Sequence, residues 1–290
     1  MDEFIYRITS LEGFLSLLVN KRERFVRPID CWEDTFEGYM LHLLDSDEGT
    51  LKVIEKLHNE ISNRITDVTI RNFTKLQRCR FASYGMCWSK VKDSDAMWRI
   101  YSYDKKAIQL VSSKQSVENM LLNAKWDRSS FDIYDVKYDI YDEDDAINKI
   151  MRRNSKIVSA YFHKRPAFEH EQEVRVLVYD RNEYDHLEAF SNQAIKANLK
   201  HTDESKSVSE RIQQAIASFG GTDTYRKIAP ESVYADVEEL KSYITGVRVH
   251  PQAQDWYVEL VKKICESYGL AFEGKSDLYR EVVKYKEQSI

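Results

Sequence analysis

A chain of 290 residues that is 42% hydrophobic and 12% aromatic buries a sizeable core, and its 18 tyrosines belong to an ordered protein rather than a disordered one. The net charge of −5, on charged residues amounting to 31% of the chain, lacks the basic excess of a general polyanion binder, although a local basic groove stays open. No apolar run approaches the ~20 residues that span a bilayer, so no membrane-spanning helix is expected.

FIYRI reads as a short strand, and Thr9 followed by Glu12 has the spacing of a capping box that opens a helix through LEGFLSLLVN. RFVRP is a second extended piece ended by Pro28. It leads into IDCWEDTFEGY, a loop that is both acidic and aromatic. From Thr50 to Gln77, Ile54, Leu57, Ile61, Ile65 and Val68 recur at helical spacing, so this stretch reads as a long amphipathic helix. FASYGMCWSK is a strand, SDAMWRIY a short helix, AIQLV a strand and VENMLLNAKW a helix. VKYDIY alternates like a strand, and AINKIMRRNSKIVSAYF is helical.

In EHEQEVRVLV, residues 169–178, the two-residue period of a strand puts Glu171, Glu173 and Arg175 on one side and Val174, Val176 and Val178 on the other. Charges on one face fit first a solvated sheet edge protected from aggregation, and only with support from the rest of the chain a functional site. Residues 180–221 lose periodicity and read as an exposed, mobile insertion. ITGVRVHP is a strand, DWYVELVKKICESYG a helix with Trp256, Leu260 and Ile264 on one face, and LAFEG a last strand. With 9 Gly and 4 Pro and no linker-like stretch, residues 1–290 are expected to form a single α+β domain.

The four cysteines, Cys31, Cys79, Cys87 and Cys265, form no Cys-x-x-Cys, and the seven histidines show no metal-ligand spacing. The opening MDEFIYRITS has neither the basic region nor the apolar core of a signal peptide. The expectation is a cytoplasmic protein with reduced thiols and no bound metal.

The ordered set YRITSLEGFLSLL, RFVRPIDCWEDTFE, MCWSK with DSDAMWRIY, KRPAFEHEQEVR, ITGVRVHP and KSDLYR resembles the bacterial family called domain of unknown function 2971. Departures from that family's pattern include EDTFE in the acidic loop, Phe168 where a Trp precedes the glutamates, and Lys105 and Lys106 near the place of a glycine before AIQLV. The resemblance implies a bacterial setting, with antiphage defence or a toxin role among the possibilities.

Three pieces are similar, more distantly, to the ADP-ribosyltransferase arrangement: Tyr6-Arg7 on a first strand, Trp88-Ser89 on a middle strand, and Glu171-Gln172-Glu173 heading a later one. That similarity implies a central mixed sheet with surrounding helices, NAD as substrate, and a protein or nucleic-acid acceptor. Glu173 would stabilise positive charge on the ribose, and Glu171 would serve the acceptor. Arg7 would grip a phosphate or ribose oxygen, Ser89 the nicotinamide ribose, and Tyr6 or Trp98 would form an aromatic wall.

Each assignment has a structural counterpart. Trp88, Met97 and Trp98 suit a core, as do Trp32 and Phe36, and Glu33, Asp34 and Glu37 suit ion pairs with cations such as Arg27, Lys164 or Arg175. His163 and His170 flank the glutamates without a partner legible in sequence. Two other functions remain open. One is a metal-dependent nuclease using Glu33, Asp34, Asp93 or Asp95 with Glu171 and Glu173, although Arg175 stands where the lysine of an E-x-K pair belongs. The other is a non-catalytic module that senses a nucleotide or a phage component.

Overall fold

The computed structural model describes residues 3–46, 48–49, 52–53, 76, 79–125, 129–151, 157–180, 185 and 230–279. The fold is α+β around a central mixed sheet, as the alternation of strand-like and helix-like periods implies. Its described strands are β1 (Phe4–Thr9), β2 (Arg22–Val26), β3 (Ser83–Ser89), β4 (Ile108–Ser113), β5 (Ser129–Asp135), β6 (Lys137–Tyr138), β7 (His163–Lys164), β8 (Glu173–Asp180), β9 (Ser232–Asp236), β10 (Gly246–Val249) and β11 (Phe272–Lys275). The chain divides into two compact units, Met1–Glu23 with Trp88–Ala124 and Asp236–Ile290, and Arg24–Cys87 with Lys125–Ala235. Among the described residues no helix is long and apolar enough to cross a membrane.

In the first unit β4 is central, antiparallel to β1 from Phe4↔Ser113 to Thr9↔Ile108 and antiparallel to β10 from Gly246↔Val111 to Val249↔Ile108. β11 lies parallel to β10, and Tyr6 of β1 faces Ser89 of β3. The helix Leu11–Asn20 buries Phe14, Leu17 and Leu18, the i, i+3, i+4 stripe. Its cap is Ser10, whose hydroxyl accepts the Gly13 N–H at 3.1 Å, one residue later than the Thr9–Glu12 spacing suggests. Thr9 is instead still held in β1 opposite Ile108.

The helix Asp255–Tyr268 presents two adjoining apolar stripes, and the inner one is Tyr257, Val261 and Cys265, while Trp256 and Leu260 are exposed. Tyr257 is anchored there by its hydroxyl, which donates to the Lys106 carbonyl. Before β4, the Lys105 N–H closes a turn on the Ser102 carbonyl at 3.0 Å, and Lys105 sits at φ 62, in the left-handed region where glycine is unstrained.

In the second unit β8 runs antiparallel to β5 in register from Ser129↔Asp180 to Asp135↔Val174, and also pairs with β3. β3 in turn meets β2 at Val26↔Gly85. The β5 segment SSFDIYD carries no strand signal in sequence because serines and aspartates interrupt its apolar period, yet it is a full strand once β8 supplies its hydrogen bonds. VKYDIY contributes only the two residues of β6, parallel to β7.

One core gathers Ile29, Met40, Leu41, Ile147, Tyr161 and Leu177, with Trp32 packed against it. Both faces of β8 are covered from Glu173 to Val178, so the charged face is not a solvated edge. The expected insertion near 180–221 lies outside the described residues except for Asp180 and Asp185, as does most of the helical stretch from Thr50 to Gln77.

Candidate functional site

The charged face of β8 forms a buried ionic network within the second unit. The segment Pro166–Glu171 is a 3-10 helix, and Gln172 at φ 40 turns the chain sharply into β8. Glu171 ends that helix and Glu173 begins the strand, and both carboxylates reach Lys164 of β7. Lys164 Nζ lies 2.6 Å from Glu171, 2.7 Å from Glu37 and 3.2 Å from Glu173, so its three N–H donors face three carboxylates. Arg175 adds a fork: Nε donates to Glu173 Oε1 at 2.5 Å, and Nη2 donates to Glu173 Oε2 at 2.9 Å and Glu37 Oε2 at 2.8 Å. Its Nη1 donates to the Tyr161 carbonyl.

Packing holds this arrangement. The Arg175 guanidinium lies 3.9 Å from the centre of the Trp32 ring, and the Lys164 ammonium lies 4.8 Å from that of Phe168. Residue 85 is a glycine because Trp32 occupies the space of a side chain there: a Cβ would stand 2.6 Å from the indole. The Glu173 N–H donates to the Tyr138 hydroxyl at 2.7 Å. Glu37, Glu171, Glu173 and Arg175 are 4%, 7%, 5% and 1% exposed, which makes the network an interior feature.

Burial alone would raise the Glu173 pKa, but Arg175 and then Lys164 overcome it and hold the carboxyl at about 2. Glu37 goes the other way, because its burial outweighs the same two cations and pushes its pKa up. Lys164 is pushed up: burial opposes the charge, and Glu173 and Glu37 more than compensate. The thiol of the half-buried Cys87, beside Glu173, is raised well above its ordinary value, first by desolvation and then by that carboxylate.

The neighbouring acidic loop behaves as its density suggested. Glu37 meets Lys164 and Arg175, and Asp34 accepts from Arg165 Nη2 at 2.8 Å. Arg165 also covers the Phe36 and Phe168 rings at 4.8 and 5.4 Å. Trp32 and Phe36 are half-buried, less enclosed than a core reading implies. His163 is not a lone histidine, since its Nδ1 lies 2.7 Å from Asp139, whereas His170 is exposed.

The other four residues singled out in sequence lie in the first unit, and the sheet register separates them. Tyr6 and Ser89 are direct partners, so their side chains share a face. Arg7 therefore points to the opposite face, where its guanidinium sits 4.9 Å from the Trp88 ring centre and its Nη2 2.7 Å from Glu23. The arginine on the face of Tyr6 and Ser89 is Arg248, aligned through Ile8↔Gln109 and Gln109↔Arg248. Arg248 is bound by Asp93 at 3.2 Å, Gln109 at 3.1 Å and Asp277 at 3.4 Å. Trp98 is 1% exposed and packs edge-on against His250 at 5.3 Å, a core position rather than an open aromatic wall.

Asp95 is engaged by Arg99 and by the Tyr279 hydroxyl. Among the described residues no three His, Cys, Asp or Glu side chains are grouped so as to hold a metal ion. Sequence reasoning missed Arg248 as the arginine of the Ser89 face. Its only signal was the alternation of GVRV, which cannot say which face of which neighbour it joins.

A family model described as Protein of unknown function (DUF2971) matches residues 97–176. That span includes Lys164, Glu171, Glu173 and Arg175 of the buried network, with Glu37 outside it. No curated protein and no solved structure matches the chain.

Proposed function

We propose that the chain acts on NAD in the manner of an ADP-ribosyltransferase, with Glu173 as the charge-stabilising group and a protein or nucleic acid as acceptor. The observation that carries this reading is the setting of Glu173, a buried carboxylate fixed by Arg175 at 2.5 Å and Lys164 at 3.2 Å, whose charges favour its ionised form. Cleavage of the nicotinamide–ribose bond sends the bonding electrons to nicotinamide and leaves positive charge on the ribose. A fixed carboxylate in a low-dielectric setting stabilises that charge far better than water does. Glu171, linked to the same lysine, would take the proton of an attacking acceptor hydroxyl as that hydroxyl's oxygen bonds to the ribose carbon. A bacterial antiphage or toxin setting fits this reading.

A second reading, a nucleotide-sensing module without turnover, is favoured by the opposite facing of Arg7 and Ser89 and by the enclosure of Glu173. Incubation of the folded protein with labelled NAD and a cell lysate separates the two. Nicotinamide release with label on a macromolecule supports transfer. Glu173→Gln, which keeps size but removes charge, is then expected to slow release on the order of a hundredfold, and Glu171→Gln to reduce transfer more than hydrolysis. NAD binding without nicotinamide release supports the sensing module, and absence of binding defeats both.

A further inference from the structure

We propose that the outer stripe of the helix Asp255–Tyr268 is a two-fold interface between two copies of this chain. No part of this depends on the NAD reading. Trp256, Leu260 and Ile264 follow one another at four-residue spacing and so lie in one row along the helix. The fold leaves this row largely open: Trp256 is 56% and Leu260 39% exposed, and Ile264 is half-buried. Packing inside the unit does not require it, because Tyr257, Val261 and Cys265 already fill the inner stripe. A tryptophan and a leucine presented to water by a rigid helix are the kind of anchor on which protein interfaces turn. The Trp256 ring can be covered without stranding a polar atom, since its indole N–H donates to the side-chain carbonyl of Gln254.

Charge selects the occupant. Beside the apolar row runs a second one, Glu259 and Lys263, whose exposed side chains lie 4.0 Å apart, at the outer limit of an ion pair. A second copy of the helix laid antiparallel, about an axis through Leu260, brings Trp256 against Ile264 of that copy, Leu260 against its Leu260, and Ile264 against its Trp256. The same rotation sets Glu259 beside Lys263 of the second copy and Lys263 beside its Glu259, so opposite charges meet on both sides of the axis. The two helix dipoles then also oppose each other. A parallel pairing would instead put Glu259 on Glu259 and Lys263 on Lys263. An anionic membrane surface is the poorer match, because the polar side of this helix carries Asp255, Glu259 and Glu266 against Lys262 and Lys263.

Sedimentation of the full chain at rising concentration tests the interface. One helix pair makes a small contact, so a monomer–dimer equilibrium with a dissociation constant of about 10–100 µM is expected. Leu260→Glu is expected to weaken the dimer on the order of a hundredfold, with urea unfolding of the monomer unchanged, since Leu260 lies outside the core. Glu259→Lys and Lys263→Glu each turn the reciprocal attractions into repulsions and are expected to weaken self-association about tenfold. A mixture of these two variants, or one chain carrying both changes, is expected to recover it. Those recoveries depend on the contact between the two positions and would not follow from damage to the fold.

A chain that stays monomeric up to about 1 mM overturns the proposal, whether or not it binds phosphatidylserine vesicles. A dimer indifferent to Leu260→Glu, or to both single charge changes, places the contact elsewhere and overturns it too. Growth beyond the dimer shows a contact that does not close on itself, which excludes the two-fold arrangement.

Discussion

Arg175 ties together the buried ionic network of the second unit. Its guanidinium contacts Glu173, Glu37, the Tyr161 carbonyl and the face of Trp32, and lysine reproduces neither the fork nor the stacking. Breaking a buried pair leaves uncompensated carboxylates, so Arg175→Met is expected to lose roughly 3–5 kcal/mol in urea unfolding, and Arg175→Lys a substantial part of that. A loss below about 1 kcal/mol would show that these contacts are not made.

Glu173 predicts a pH effect with a definite sign. Its folded-state pKa, about 2, lies below the ordinary 4.5, so its contribution is full above 4.5 and disappears as pH falls towards 2. The difference corresponds to about 3 kcal/mol. Glu37, displaced upward, contributes with the opposite sign: its protonated form favours the fold at low pH, and that share fades as pH rises through its folded value. Unfolding free energy measured between pH 2 and 6 should fall steeply on the acid side in the wild type and less steeply in Glu173→Gln.

At the level of elements, two backbone positions test how sheet and turn hold the side chains. Lys105 occupies a left-handed conformation that costs an L-residue about 1–2 kcal/mol, partly offset in a glycine variant by the greater freedom of the unfolded chain. Lys105→Gly is therefore expected to raise the unfolding free energy by about 0.5–1 kcal/mol, and a loss of stability would show that the turn is otherwise shaped. Gly85→Ala should act in reverse, since its Cβ would meet Trp32 at 2.6 Å and Leu177 at 3.2 Å. Trp32 would have to leave the face of Arg175, at a cost of about 1–3 kcal/mol with a change in tryptophan fluorescence.

These elements also mark how far the sequence could be read. Alternation placed Glu173 and Arg175 opposite Val174 and Val176, and the structure keeps that division. It could not say that the charged side is covered, because the cover is Trp32 and Glu37, the latter 138 residues from Arg175. Alternation likewise orders faces within one strand but not between strands. Arg7 and Ser89 looked compatible until the Tyr6↔Ser89 pairing fixed them on opposite sides.

For the whole molecule, the governing feature is that neither compact unit is a continuous piece of chain. The first unit takes its β10 and β11 from the Asp236–Ile290 segment, while β1 and β4 come from the first 124 residues. The Ser112 hydroxyl in β4 donates to the carbonyl of Tyr243, 131 residues away, so these contacts form only after a long loop has closed. A chain ending at Ala235 would lack the strand that β4 pairs with through Ile108, Leu110 and Val111, and the helix carrying Tyr257 and Val261. Buried apolar side chains would then face water along a bare strand edge, which the remaining part of the first unit cannot cover. Such a truncation is expected to lose the near-ultraviolet signal of the buried Trp88 and Trp98 and to be cut rapidly within residues 88–124 in limited proteolysis. Resistance of that segment equal to the full chain's would show that the last segment is dispensable, contrary to the pairing of β4 with β10.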